Sequence, residues 1–171
     1  KLRNRLLFIL EVRKFAQNDL HLPVDNNYLS YVDLDRSYVM WSVFAAPEFS
    51  LEPKTWCYPI AGCVAYRGYF SEKDAHQYAG TLEKKKFDVY VGGVSAYSTL
   101  GWFDDPVLST MMRMSETDSA ALIFHELAHK LLYVPGDSAF NESFATAVEQ
   151  EGVRRWLMVK NDQHAHEAYR L

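Results

Sequence analysis

Residues 121–150 read ALIFHELAHKLLYVPGDSAFNESFATAVEQ. Within them His125, Glu126 and His129 spell HExxH inside an apolar run with helical periodicity, and thirteen positions after His129 comes a further carboxylate, Glu142. Residues four apart on an α-helix share a face one turn apart, so both imidazoles can point at a single cation while Glu126 sits beside them. After Tyr133 the segment Val134-Pro135-Gly136-Asp137-Ser138 breaks the helix, and Asp137 or Ser138 can cap the next one. Helices joined by so short a turn run antiparallel, which brings Glu142 to about the height of His129.

The residue types suit zinc chemistry. Zinc accepts neutral imidazole nitrogen and carboxylate oxygen, and catalytic centres use three protein ligands with one position kept for water. That water drops from a pKa of 15.7 to roughly 7, and a carboxylate within hydrogen-bond reach can take its proton. His125, His129 and Glu142 are therefore the candidate ligands of one zinc ion per chain, and Glu126 is the candidate general base. An HExxH string arises by chance in about one chain of this size in a few hundred. Here it lies on a helix with capping residues Ser115 or Thr117 and with Glu116 and Asp118 in its first turn. For Glu142 the plainer reading is a solvated carboxylate near a helix N-terminus.

Composition bounds the remainder. The 171 residues are 49% hydrophobic and 15% aromatic, enough for one good core, and a single domain over 1–171 is expected. The net charge of −4 is spread without a basic face, which argues against nucleic acid as a partner. No apolar run reaches the eighteen or so residues of a membrane span. A chain starting at Lys1 is expected to be a fragment or a processed form.

Helical spacing of Leu2, Leu6, Ile9, Val12 and Ala16 predicts a first helix to about Leu20, packed outside a sheet. Aromatic and β-branched runs predict strands at Tyr38–Ala45, Ile60–Tyr69 and Phe87–Val91, with a helix over Ser71–Lys86 between the last two. Pro106 is expected to open a short helix toward Met112. The order α, β, β, α, β, loop and a run of α is an α+β layout.

The loop from Gly92 to Asp105 concentrates aromatic and acidic groups just before the HExxH helix. Asp104 is a candidate contact for a substrate's α-amine, and Asp105 is read as a cap for the helix at Pro106. Peptide hydrolysis also wants an oxyanion donor, for which Tyr97 and Tyr66 are the candidates. Cys57 and Cys63 can close a small loop as a disulfide or stand as two buried thiols, and they lack the further ligands that a zinc role would need.

The runs LIFHELAHKLLYVPGDSAFNESFATAVEQEG, WCYPIAGCVAYRGYF and DVYVGGVSAYSTLGWFDDPVLST, which span residues 122–152, 56–70 and 88–110, resemble the bacterial "putative aminopeptidase" family of inferred zinc metallopeptidases. The resemblance implies a gluzincin-like peptidase with a zincin-like fold, a small, mostly antiparallel sheet packed against helices. It also implies His125 and His129 as ligands, Glu126 as base, Glu142 as third ligand, and a peptide as substrate. Such chains usually follow an export or lipoprotein-type signal. That would make 1–171 part of a longer precursor bound for the periplasm or cell envelope, where an upstream segment could carry a lipid anchor, with the cytoplasm as the alternative, and would favour the Cys57–Cys63 bridge. Two departures from thermolysin-like enzymes stand out: a shorter gap between His129 and Glu142, and Thr146 where an aspartate often orients a histidine. The alternatives are endopeptidase action, hydrolysis of another amide or ester, and a catalytically silent, metal-stabilised module that binds peptide or cell-wall fragments.

Overall fold

The computed structural model describes residues 1–58, 62–96, 99 and 103–161. In chain order its elements are α1 (Leu2–Asn18), β1 (Tyr31–Val32), β2 (Met40–Pro47), β3 (Trp56–Tyr58), β4 (Gly62–Val64), β5 (Arg67–Tyr69), α2 (Glu72–Glu83), β6 (Phe87–Val94), β7 (Val107–Leu108), a 3₁₀ helix (Ser109–Arg113), α3 (Glu116–Leu131) and α4 (Ser138–Lys160). Four α-helices and small, mainly antiparallel sheets among the described residues make the chain α+β. No helix among these residues is long and apolar enough to cross a membrane. The chain divides into two compact units, one built from Lys1–Asp33, Ser98–Tyr133 and Ala139–Leu171, the other from Leu34–Tyr97 and Val134–Ser138.

The first unit is built on helices. Phe8, Ile9, Val12, Phe15 and Ala16 are buried on α1 at helical spacing. Phe15 lies 5.9 Å from the Phe124 ring of α3 and 5.1 Å from Trp156 of α4. α1 thus buries its apolar stripe against other helices, a correction to the expectation that it packs outside a sheet. α3 buries Ala120, Ile123, Phe124, Leu127 and Ala128, and a Cβ at Gly152 of α4 would stand 2.8 Å from the Phe124 ring. That glycine lets α4 pass close to α3.

Pro106 opens a strand instead of the expected helix. Val107 and Leu108 pair in parallel with Tyr31 and Val32, and the helical turn starts only at Ser109. No helix starts at Pro106 for Asp105 to cap. Asp105 is buried, its backbone N–H donates to Asn27 Oδ1 at 2.8 Å, and its carboxylate accepts the Thr99 N–H at 3.0 Å.

The second unit carries a three-stranded antiparallel sheet in the order β5-β2-β6, and β2 and β6 pair from Met40↔Val94 to Pro47↔Phe87. Strand alternation puts Val43 and Ala45 on one face, where they pack with Ala75, Ala79 and Leu82 of α2. The third predicted strand runs on through Gly92 and Gly93. The second predicted run, Ile60–Tyr69, is divided: Gly62–Val64 pairs with Trp56–Tyr58, whereas Arg67–Tyr69 joins β2. A periodicity argument cannot see that switch of partner. Cys57 and Cys63 face each other across the β3–β4 hairpin and are joined by a disulfide.

Gly62 has φ +74°, and a Cβ there would lie 2.9 Å from the backbone of Gly136, while Ser138 Oγ donates to the Cys63 carbonyl at 3.4 Å. Backbone against backbone leaves nothing to give way. Gly62→Ala is expected to lower unfolding stability by about 2 kcal/mol or more, from the left-handed conformation and the overpacking together. Gly80→Ala, in open space on α2, should raise it by about 0.5–1 kcal/mol. Urea denaturation of the two variants checks both signs.

Candidate metal site

Ser115 caps α3, its Oγ accepting the Asp118 N–H at 3.0 Å, with Glu116 and Asp118 favouring the positive end of the helix. Ten residues on, in the apolar part of this helix, His125 and His129 project side by side with ring centroids 4.8 Å apart. The Nε2 atoms of His125 and His129 are 3.1 Å apart. The Glu142 carboxylate of α4 straddles them, Oε2 at 3.3 Å from His125 Nε2 and Oε1 at 3.6 Å from His129 Nε2. One ligand atom from each of the three residues lies within 4.8 Å of the others.

These separations fit a cation. Bonds of 2.0–2.1 Å to a tetrahedral zinc set its donors about 3.3 Å apart, the spacing found here. The donor set of two imidazoles and a carboxylate suits zinc and other divalent first-row metals. His129 is buried and Glu142 is 64% exposed, so the cluster opens to solvent on the carboxylate side. Glu126, on the same helix between the two histidines, is half-buried.

Glu149 completes the arrangement. Its Oε2 lies 3.0 Å from His125 Nδ1. A proton on Nδ1 shared with this carboxylate leaves the Nε2 lone pair directed at the cluster, the tautomer that a metal ligand needs. Sequence reasoning looked four residues after Glu142, at Thr146, and missed Glu149. The available signal was the interval of seven, which puts Glu142 and Glu149 on one face of α4 two turns apart.

The hydrogen bond with Glu142 raises the His125 pKa, burial opposes it, and the Glu126 and Glu149 carboxylates reinforce the rise. The same hydrogen bond, against burial, holds Glu142 below its ordinary range. His129 is lowered, by burial first and then by the charge of His125.

Of the three further sequence candidates, two fall among the described residues. Asp104 accepts a hydrogen bond from Asn26 Nδ2 at 3.3 Å in the first unit. Tyr66 belongs to the second unit, where its ring packs 5.9 Å from Phe44. Tyr97 lies outside the described residues.

The whole chain, residues 1–171, matches the family described as "Putative aminopeptidase". The chain belongs to that family. No curated protein and no solved structure matches it. Family membership points to a peptidase, and the cluster is a group able to hold a metal ion.

Glu149→Gln is expected to weaken metal binding about 10–100-fold, read by competition with a chromogenic chelator. The stabilisation from the raised His125 is present below 6.5 and lost as pH rises through its folded value. That from the lowered Glu142 is present above 4.5 and lost as pH falls. In the metal-free protein the pair thus helps most between 4.5 and 6.5, where a metal must displace the His125 proton. The rise in Tm on adding zinc should accordingly be larger at pH 8 than at pH 5.5.

Proposed function

We propose that this protein is a zinc-dependent peptidase acting from the free N-terminus of peptides, on a zincin-like α+β scaffold of the gluzincin type. The convergence of His125, His129 and Glu142, with Glu126 between the two histidines on α3, carries the reading. Membership of the aminopeptidase family supports the substrate class.

When bound, zinc would polarise the scissile carbonyl and bring the pKa of a water to roughly 7. His125, His129 and Glu142 are the residues that would hold it, with Glu149 fixing the His125 ring. Glu126 takes the proton of the attacking water and returns it to the departing amine, one carboxylate serving as base and then acid. A half-buried position leaves the Glu126 carboxylate reachable by water. The Cys57–Cys63 disulfide supports placing the protein in an oxidising compartment, the periplasm or cell envelope.

Glu126→Gln should lower kcat by about 10²–10⁴ with metal content unchanged. Retained activity in this variant would remove Glu126 from the mechanism. Chelation should abolish turnover and zinc restore it. Peptides with acetylated N-termini should resist cleavage while their free counterparts are processed, and equal rates on the two would indicate an endopeptidase.

A further inference from the structure

The turn that joins α3 to α4 is gripped by the β3–β4 hairpin. Residues 134–138 form it, with the Asp137 N–H donating to the Val134 carbonyl at 3.2 Å. A Cβ on Gly62 of β4 would stand 2.9 Å from both N and Cα of Gly136, and the next residue, Cys63, accepts the Ser138 hydroxyl at its carbonyl over 3.4 Å. Hairpin and turn belong to the same compact unit.

The grip depends on the bridge. β3 and β4 form a two-stranded sheet with three residues in each strand, and such a hairpin is marginally stable at best in water. β3 has an anchor of its own in Trp56, which packs on the core around Val43 and donates from Nε1 to the Tyr78 hydroxyl at 3.0 Å. The Cys57–Cys63 disulfide passes that anchor across to β4 and so to the turn. A bridge between residues six apart constrains the unfolded chain less than a long-range one, so its effect is mainly local.

The consequence falls on Glu142. Ser138 is the first residue of α4 and Glu142 follows one turn later, at the end of a helix where backbone N–H groups lack intrahelical partners and opening is easiest. Glu142 is also far more exposed than either histidine, so little else holds it. Both cysteines are exposed and open to thiol exchange. Resting on the metal-site reading, we propose that the Cys57–Cys63 disulfide is a redox switch on the metal site. Oxidised, it clamps the turn and presents Glu142 to His125 and His129; reduced, it lets the start of α4 open and the third ligand withdraw. A dithiol supplies the two electrons and two protons: one of its sulfurs attacks a bridge sulfur, the S–S bond breaks, and the mixed disulfide resolves to a cyclic disulfide and two protein thiols.

Amide hydrogen exchange tests the clamp without metal. Reduction by a dithiol, followed by anaerobic desalting, should speed exchange over residues 134–142 at least about ten-fold and leave α2 unchanged. Unchanged exchange over 134–142, or equal acceleration in α2, overturns the proposal. Cys57→Ser/Cys63→Ser, which has no thiols to bind zinc, should hold zinc about ten-fold more weakly than the oxidised wild type in competition with a chromogenic chelator. In a Glu142→Gln background, where that ligand is already altered, the same two substitutions should change zinc affinity by no more than about two-fold. Wild-type affinity in the serine variant, or a full ten-fold further loss in the Glu142→Gln background, overturns the proposal. A wild-type protein that binds no zinc sinks the functional reading alone, and the exchange measurement then decides the clamp by itself.

Discussion

The packing of Phe124 fixes where the site's chemistry can occur. This ring is fully buried on α3, meets Phe15 of α1, and faces Gly152 of α4 at a distance only a glycine tolerates. A buried phenylalanine contributes about 3–5 kcal/mol by truncation, whereas ion pairs to a carboxylate as exposed as Glu142 contribute about 0–1 kcal/mol. The comparison gives the direction of cause. Apolar packing sets the spacing of α3 and α4, and His125, His129 and Glu142 are carried to one another on those helices. Because His125 directly follows Phe124, its position is inherited from the ring that anchors the core.

The candidate ligand set was legible because two local rules suffice for it. Spacing of four aligns His125 with His129, and the Pro135-Gly136 break followed by a helix returns Glu142 to their height. Glu149 needed the same helical rule applied one interval further. The disposition of residues 60–69 was not legible, since Gly62–Val64 and Arg67–Tyr69 are alike in composition and differ only in which distant strand receives them. Pro106 misled for a related reason. Its fixed φ suits a first helical turn and an extended segment alike, and pairing with Tyr31–Val32 selects the latter.

Asp105 shows how a local preference yields to long-range satisfaction. An aspartate before proline is a good cap, yet here the residue lies 78 positions from Asn27 and exchanges hydrogen bonds with the 27–28 backbone and side chain. Buried polar groups must find partners wherever the chain supplies them. The left-handed residues His21, Asp25 and Tyr28 all fall in this connection. Nothing in the alternation of apolar residues marks them, because their conformations are imposed by the contacts at both ends.

The two imidazoles are not equivalent, and the difference bears on how the cluster would respond to a cation. His125 has both ring nitrogens engaged, Nδ1 by Glu149 and Nε2 by the cluster, so its tautomer is set by a carboxylate whatever else is bound. His129 is more deeply buried, and its Nδ1 has no hydrogen-bond partner among the described residues. Its ring is held by packing and by the Nε2 contacts to His125 and Glu142. An unsatisfied buried nitrogen costs about 1–3 kcal/mol, a burden that a fold retains more readily where the other nitrogen of the ring has strong work to do. Metal coordination at Nε2 is such work. The same packing that leaves Nδ1 without a partner keeps the ring from turning away from Glu142, so rigidity at His129 and directed hydrogen bonding at His125 are two physical routes to one alignment.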